Sequence, residues 1–510
     1  MAEDYIYRNI SPLAASGDTT TARPTPAYDP VGSDATTTVS LAGLYPYETE
    51  PSDVIEGRTA IIQAEIDAAT LAGGGVVYLP SGVYQVNELT LKDRVSIIGD
   101  GMWKTVLLAS GDIPVGDAVI KSENYDANVT LFDTPTNAPL WRVHGAPQHM
   151  AVRELSLIGQ GYEYDGAGNV WDYQPSEVNI GRDINGIQLF GHASHIDNVH
   201  VTYFSGNGID LWHGKKTKAD YYTPCDTTIE HLGWIATSYI TGTGVHIHNF
   251  PDGTFEKHVA NYCGTGLEID GHAWHIDNVH AYGCTTGVIN NGANYFGTLQ
   301  AENCEGNGFN NVYTDADQSA GGTSIERLIL FANNKSSGDA YANFSAHAKV
   351  SFLQLDVAES DKTGVWLSSL KAVGTKLHGE CNITVADVTG IILIDCQEQT
   401  AGTDTAPGQL DINVHGWFGS NVSNTAIAFR GTSSGSNIVA RFGMSASGTS
   451  GCHLLHSRYR SGGDVAVGVS NRVKLWYKGF TASEAYYTGV SLNTGADDDT
   501  TPEIELIAYT

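Results

Sequence analysis

Short apolar–polar–apolar phrases, each opened by a glycine, recur through the middle of the chain. They read Asn185-Gly186-Ile187-Gln188-Leu189, Asn207-Gly208-Ile209-Asp210-Leu211, Thr243-Gly244-Val245-His246-Ile247, Thr265-Gly266-Leu267-Glu268-Ile269 and Thr286-Gly287-Val288, and Gly308-Phe309 continues the series. Most of these glycines fall 21 or 22 residues apart, and one step of 36 leaves room for a loop inserted into a single turn. Alternation with period two predicts short strands. A fixed period of this length without a helical pattern predicts a β-solenoid, in which each turn buries its apolar face against its neighbours. A second phrase, His195-Ile196-Asp197-Asn198-Val199-His200, returns as His275-Ile276-Asp277-Asn278-Val279-His280. Each turn is therefore expected to hold at least two strands separated by polar corners. His195, His200, His275 and His280 are assigned to those corners, with hydrogen bonds between turns. Weaker copies at Thr363-Gly364-Val365, Thr389-Gly390-Ile391, Ser450-Gly451-Cys452 and Thr488-Gly489-Val490 extend the expected solenoid almost to the C-terminus.

The pattern changes toward the N-terminus. Residues 1–52 are rich in Thr, Ala, Asp and Pro, with little periodicity, and read as an extended arm, a linker or the remnant of an attachment region. From Gly57 to Leu71, Ile61, Ile62, Ile66 and Ala69 recur at near-helical spacing, and Gly73-Gly74-Gly75 ends the predicted helix. Strands follow at Val76–Leu79, Val83–Val86, Leu89–Leu91 and Val95–Ile98. The helix suits a cap, because the open end of a solenoid leaves core and strand edges exposed. The cap and first turns are placed at 53–108 and the solenoid body at 109–510, with loop insertions near 160–184 and 213–227.

Composition agrees with this reading. The 58 glycines against 16 prolines suit an all-β chain with many tight corners, and 41% apolar with 16% charged residues implies an ordered core. A formal net charge of −30 argues against nonspecific binding to nucleic acid or an anionic membrane. Cys263, Cys284 and Cys304 fall at matching points of successive turns and read as a ladder of small buried side chains. No CxxC pattern supports structural zinc. No secretory signal or membrane span is apparent.

The run Ile61-Ile62-Gln63-Ala64-Glu65-Ile66-Asp67-Ala68-Ala69, then Gly73-Gly74-Gly75-Val76-Val77-Tyr78-Leu79-Pro80-Ser81-Gly82-Val83-Tyr84, then Val95-Ser96-Ile97-Ile98-Gly99-Asp100-Gly101 resembles the opening of pectate-lyase-like parallel β-helix proteins. It is especially similar to bacteriophage tailspikes and capsular depolymerases. The resemblance implies an all-β fold, a single-stranded right-handed parallel β-helix with a short N-terminal capping α-helix. It also implies a homotrimer, virion tail attachment through the N-terminus, an extracellular or virion location and a groove that binds polysaccharide. The family includes lyases, hydrolases, epimerases and non-enzymatic adhesins, so the chemistry has to come from the site.

If Ile209 and Leu211, Val245 and Ile247, and Leu267 and Ile269 point inward, their neighbours share one outer face. That face carries Asp210 and Trp212, then His246 and His248, then Glu268 and Asp270. An exposed strand face more cheaply carries Thr, Ser or Lys, so these titratable groups are the expected catalytic residues. Strand geometry separates Glu268 from Asp270 by about 7 Å and Asp210 from Glu268 by about 9–10 Å. These distances are near the range of an inverting glycosidase, and stacked carboxylates should raise one another's pKa and keep one protonated. An endo-acting hydrolase of a bacterial surface or extracellular polysaccharide is the leading expectation. Aromatic and basic residues of the two insertions, Trp171, Tyr173, Arg182, Lys215, Lys216, Lys218, Tyr221 and Tyr222, join Trp212 and Lys257 as expected substrate contacts.

The lysines open a second chemistry. A uronate lyase neutralises a carboxylate with Lys, Arg or metal, abstracts the C5 proton with a base and protonates the leaving oxygen. Lys215, Lys216, Lys218, Arg182 and Lys257, with His246 or His248 as base, would supply those parts. Neither the Asp-Pro-His-Asp of mannuronan epimerases nor the Gly-His-Gly and Arg-Ile-Lys of polygalacturonases occurs. A non-catalytic carbohydrate-binding adhesin and a secreted plant- or algal-polysaccharide enzyme are the further alternatives. Eleven of the 18 histidines lie between His192 and His280, and His246 and His248 with Asp270 form a conceivable chelate. The expectation is nevertheless that no metal or cofactor is required, with Ca²⁺ at Asp or Asn corners as the conceivable ion.

Overall fold

The computed structural model describes residues 7–9 and then 52–351 apart from 133–146, 160–182, 192, 213–229, 249–250, 313–322, 332, 334–339 and 345–347; beyond 351 it describes strand backbones alone. The chain forms two compact units, Met1–Gly264 and Thr265–Thr510. In both, alternating apolar residues form strands that stack in parallel on the corresponding strand of the next turn. The architecture is the expected right-handed parallel β-helix with an N-terminal helix.

In the first unit one sheet stacks Leu89–Leu91, Ala118–Ser122, Asn185–Phe190, Ile209–Trp212 and Thr243–His248, in that order. We call this the front sheet. The back sheet includes Ala151–Ile158, His195–Thr202, Glu230–Ser238 and Pro251–Asn261. Tyr7–Asn9, from the N-terminal arm, pairs in parallel with Val76–Tyr78. In the second unit, one sheet runs from Thr265–Ile269 through Thr286–Asn290, Phe309–Asn311 and Ala340–Phe344 to His453–Ser457. The other runs from His272–Tyr282 to Glu503–Ala508, so strand pairing continues almost to the C-terminus. The recurrent His phrases lie inside the strands His195–Thr202 and His272–Tyr282, not at corners. Ile196 and Val199, three residues apart, are both fully buried, and the left-handed backbone of Asn198 between them turns both side chains into the core within one strand. His200 does bond between turns, its Nε2 lying 2.9 Å from Ser238 Oγ. Burial pushes His200 and His258 down to about 3, so both sit neutral in the wall.

The cap helix is Ser52–Leu71, five residues longer at its start than the sequence pattern indicated. Ile55, Ile62, Ile66 and Ala69 cover the open core. Its polar side chains satisfy strand backbone below: Gln63 donates to Thr90 O at 3.1 Å and accepts from Thr90 N at 2.8 Å. Arg58 donates to Gln85 O at 3.0 Å. These bonds meet the backbone groups that a first strand would otherwise leave unpaired. Among the described residues no helix is long and apolar enough to cross a membrane. Cys263, Cys284 and Cys304 are buried thiols that form no disulfide, as the ladder reading requires.

The repeated glycine has a steric cause. A Cβ on Gly208 would lie 2.5 Å from the carbonyl oxygen of Gly244 in the next turn. A Cβ on Gly186 meets Gly208 O, and one on Gly287 meets Gly308 O, in the same way. The backbones approach here more closely than any side chain permits. Gly208→Ala should therefore cost about 2–4 kcal/mol through a shift of the stacked backbone. Gly57→Ala, in the cap helix with nothing within 4 Å of its Cβ, should be neutral or stabilise by up to about 1 kcal/mol. Denaturant unfolding of both variants checks the contrast.

Candidate functional site

The strand Ile209–Trp212 turns Ile209 and Leu211 into the core, where they are 0% and 2% exposed, and turns Asp210 and Trp212 outward. Parallel pairing sets Asp210 beside His246 and Trp212 beside His248 on the strand Thr243–His248. On its other side Asp210 aligns with Gln188, which aligns in turn with Lys121. Four turns thus place Lys121, Gln188, Asp210 and His246 in one line across the front sheet.

Asp210 faces outward but is covered. Tyr125, at the start of the short helix Tyr125–Phe132, donates its hydroxyl to Asp210 Oδ2 at 2.6 Å. Trp212 Nε1 donates to the same oxygen at 3.2 Å. Oδ1 lies 2.8 Å from His248 Nε2, accepts from Asn207 Nδ2 at 3.3 Å and lies 3.9 Å from His246 Nδ1. Burial works to raise the Asp210 carboxyl. The hydrogen bond and charge of His248, the Tyr125 hydroxyl and the charge of His246 together outweigh burial and hold it below the usual carboxylate range. This is opposite to the raised, proton-holding carboxyl expected of a stacked acid pair. Burial first, then the charge of Asp210, push the Tyr125 phenol far up, so its hydroxyl stays protonated and donates.

The histidines form a stack. The Trp212 and His248 rings lie 3.8 Å apart at 15°, and the His246 and His248 rings lie 3.5 Å apart at 38°. His248 is therefore clasped by an indole and an imidazole. A proton donated through Nε2 to Asp210 leaves the lone pair on Nδ1, the tautomer of a neutral base.

Beside Asp210, a polar pocket of about 310 Å³ is lined by Asp183, Asn185, Ser205, Asn207 and Thr241 with Gly206 and Gly242. Asn207 belongs to both: it binds Asp210 with Nδ2 and accepts Thr243 N at 2.9 Å with Oδ1. Two turns from Asp210, Lys121 is buried, its ammonium bound by Asp117 and by Asp126 at 2.6 Å. Burial opposes its charge, and the two carboxylates outweigh burial and raise it.

Of the residues expected from sequence, the structure unites Asp210, Trp212, His246 and His248 within the first unit. Glu268 and Asp270 lie in the second unit, on and just after the strand Thr265–Ile269, where Asp270 accepts Asn291 Nδ2 at 2.6 Å. Lys257 is a correction. It lies on the back-sheet strand Pro251–Asn261, with its ammonium 5.2 Å from the Trp234 ring centre, because its phrase belongs to the other strand of the turn. Trp171, Tyr173, Arg182, Lys215, Lys216, Lys218, Tyr221 and Tyr222 lie outside the described residues. Sequence reasoning missed Tyr125, Asn207 and Lys121. Tyr125 sits on a helix outside the repeat, and the Ala118–Ser122 strand carries no opening glycine. Asn207 was visible, since Asn185 and Asn207 both precede a repeat glycine.

The carboxylate is the keystone of this cluster. Asp210→Asn should destabilise the first unit by about 2–4 kcal/mol, because an amide cannot accept all these donors. The depressed carboxyl contributes its full stability above the unfolded value near 3.9 and loses it as pH falls through the lower folded value. Unfolding followed from neutral to strongly acid pH should show that loss in the parent and not in the Asn variant.

Residues 52–289 match the family described as rhamnogalacturonase A/epimerase, pectate lyase-like. Mannuronan C5-epimerase AlgE6 of Azotobacter vinelandii is 40% identical over 220 residues, which take in 41% of this chain and 20% of that protein. Mannuronan C5-epimerase AlgE2 of the same organism is 30% identical over 169 residues, 31% of this chain and 14% of that protein. The matched region thus spans a fifth or less of these relatives' length. Among solved structures, the Azotobacter vinelandii AlgE6 A-module aligns over 89% of this chain and 96% of its own at 16% identity, with a TM-score of 0.32. The tailspike of E. coli bacteriophage HK620, in complex with a pentasaccharide, aligns over 83% and 68% at 12% identity, with a TM-score of 0.36.

Proposed function

Starting from a chain that is a pectate-lyase-like parallel β-helix protein, we propose that it removes the C5 proton of a uronate within a polysaccharide, with His248 as the base. The observation that carries this reading is the ionised, buried Asp210 bound to His248 Nε2 at 2.8 Å. A carboxylate so held orients an imidazole and stabilises the imidazolium that forms when it takes a proton. It is poorly suited to be the acid of an inverting hydrolase, which has to keep its proton until the leaving oxygen needs it. Of the two chemistries written into the outer face, the geometry favours elimination over hydrolysis.

In this reading the C5–H bond breaks and its proton goes to His248 Nδ1. The electron pair either forms the C4–C5 double bond as the glycosidic oxygen leaves with a proton, or returns to C5 with a proton from the opposite face. The first outcome is a lyase and the second a C5-epimerase. His246, packed on His248 and therefore on the same side of the sugar, is the group that protonates the leaving oxygen in the lyase branch, and solvent water supplies the opposite-face proton in the epimerase branch. Neutralising the uronate carboxylate is assigned to Arg182, Lys215, Lys216 and Lys218, which lie outside the described residues. The 310 Å³ polar pocket that shares Asn207 suits sugar hydroxyls. The relatives named for mannuronan make polymannuronate the first substrate to try. A secreted or virion-borne homotrimer remains the expected setting, on the sequence resemblance to tailspikes.

The test is incubation in D₂O with polymannuronate and a panel of acidic bacterial capsules. Ultraviolet absorbance, new reducing ends and deuterium at C5 are followed together. Unsaturated ends mark the lyase, and deuterium at C5 without cleavage marks the epimerase. Either activity should fall about 10²–10⁴-fold in His248→Ala. New reducing ends with neither signal would mean hydrolysis and overturn the proposal. Undiminished turnover in His248→Ala would overturn its choice of base.

A further inference from the structure

We propose that Asp210, His246 and His248 also form a binding site for a divalent transition-metal ion of the zinc type, and that the ion and the proton-abstracting role of His248 exclude one another. The binding half stands on geometry alone, and the exclusion half rests on the function proposed above.

Asp210, His246 and His248 each offer one ligand atom within 4.8 Å of the others, and Asp210 Oδ1 faces His248 Nε2 and His246 Nδ1. Zinc bonds of about 2.0–2.2 Å at tetrahedral angles separate ligand atoms by roughly 3.3–3.5 Å. The two separations from Asp210 Oδ1, 2.8 Å to His248 and 3.9 Å to His246, bracket that value. Small side-chain rotations would bring the three around one ion. The strands impose the arrangement, since His246 and His248 are successive outward positions of one strand and Asp210 faces His246 from the next.

The surroundings suit a metal as well. Asp210 Oδ2 is engaged by Tyr125 and Trp212, which turns Oδ1 toward both imidazoles. Such outer hydrogen bonds orient ligand carboxylates in metal sites. Trp212 packs on the His248 ring and holds its plane. All three side chains are at most 15% exposed, which limits competition from water. Two imidazoles and one carboxylate favour zinc, cobalt, nickel or copper over calcium or magnesium, which prefer oxygen. Zinc would take the place of the proton that Nε2 shares with Asp210, and that proton would leave to solvent.

The probes are Zn²⁺ and Co²⁺ added to the full chain after chelator treatment, without substrate. Calorimetry should give one tight site, and X-ray absorption of the zinc-loaded chain should show two imidazole nitrogens among the ligands. His246→Ala and His248→Ala should each weaken binding at least tenfold, whereas His195→Ala, in a back-sheet pair with ring centres 4.6 Å apart, should not. X-ray absorption uses the unaltered chain, so a variant that fails to fold leaves the test intact. A spectrum with oxygen ligands only, or zinc binding unchanged in the His246→Ala/His248→Ala double variant, would overturn the site. If uronate turnover is found, zinc should inhibit it and chelator restore it, and undiminished turnover at saturating zinc would overturn the exclusion alone. Zinc binding as described in a chain inactive on every uronate polymer would uphold the site and count against the proposed reaction.

Discussion

The contact between successive glycine backbones governs everything else in the wall. Where Gly186 meets Gly208, and Gly208 meets Gly244, no Cβ fits, and the strands that follow start from the same point in each turn. A shift by one residue would exchange the core and outer faces of a strand, so this close approach and the inward Ile and Leu fix one register together. That register decides which outward residues meet. Asp210 falls beside His246, and Trp212 beside His248, because Gly208 and Gly244, immediately before each strand's first core position, are stacked.

On that scaffold sits an energetically costly feature. A buried carboxylate is unfavourable unless it is compensated, and Asp210 is compensated by donors from four directions. Tyr125 comes from a helix, Asn207 from the preceding corner, Trp212 from its own strand and His248 from the next. None of these donors is a lysine or arginine, so the charge is stabilised without a fixed cation. The negative charge therefore stays available to an imidazolium, or to a metal ion, at the neighbouring strand. The proton-transfer reading and the metal reading both draw on this negative charge.

Much of the fold was legible in the chain because a solenoid repeats its instructions. The inward Ile209, Leu211, Val245 and Ile247 followed from alternation alone, and so did the outward Asp210, His246 and His248. The cap helix was visible from Gly57 to Leu71, but its first turn was not, because Ser52–Glu56 contributes one core residue, Ile55, before the helical spacing is established. Lys257 was misplaced because a linear phrase does not say which of two strands in a turn it belongs to. Tyr125 and Lys121 carry no repeat signal: the register of three stacked strands aligns Lys121 with Asp210, and Tyr125 reaches it from a helix. The ionisation of Asp210 was misjudged for a related reason. Sequence shows the neighbouring charges, whereas the hydrogen bonds that decide the outcome come from residues 85 positions before and 38 after it.

The proposed reaction requires that Asp210 hold the shared proton on His248 Nε2 and leave the lone pair on Nδ1. Nitrogen-15 NMR of histidine-labelled protein at mildly alkaline pH, with His248→Gln to assign the resonance, reads that tautomer directly. His248 should show a protonated Nε2 and an unprotonated Nδ1, with that preference lost in Asp210→Asn. A proton on Nδ1 in the parent, or an unchanged tautomer in the Asn variant, would contradict it.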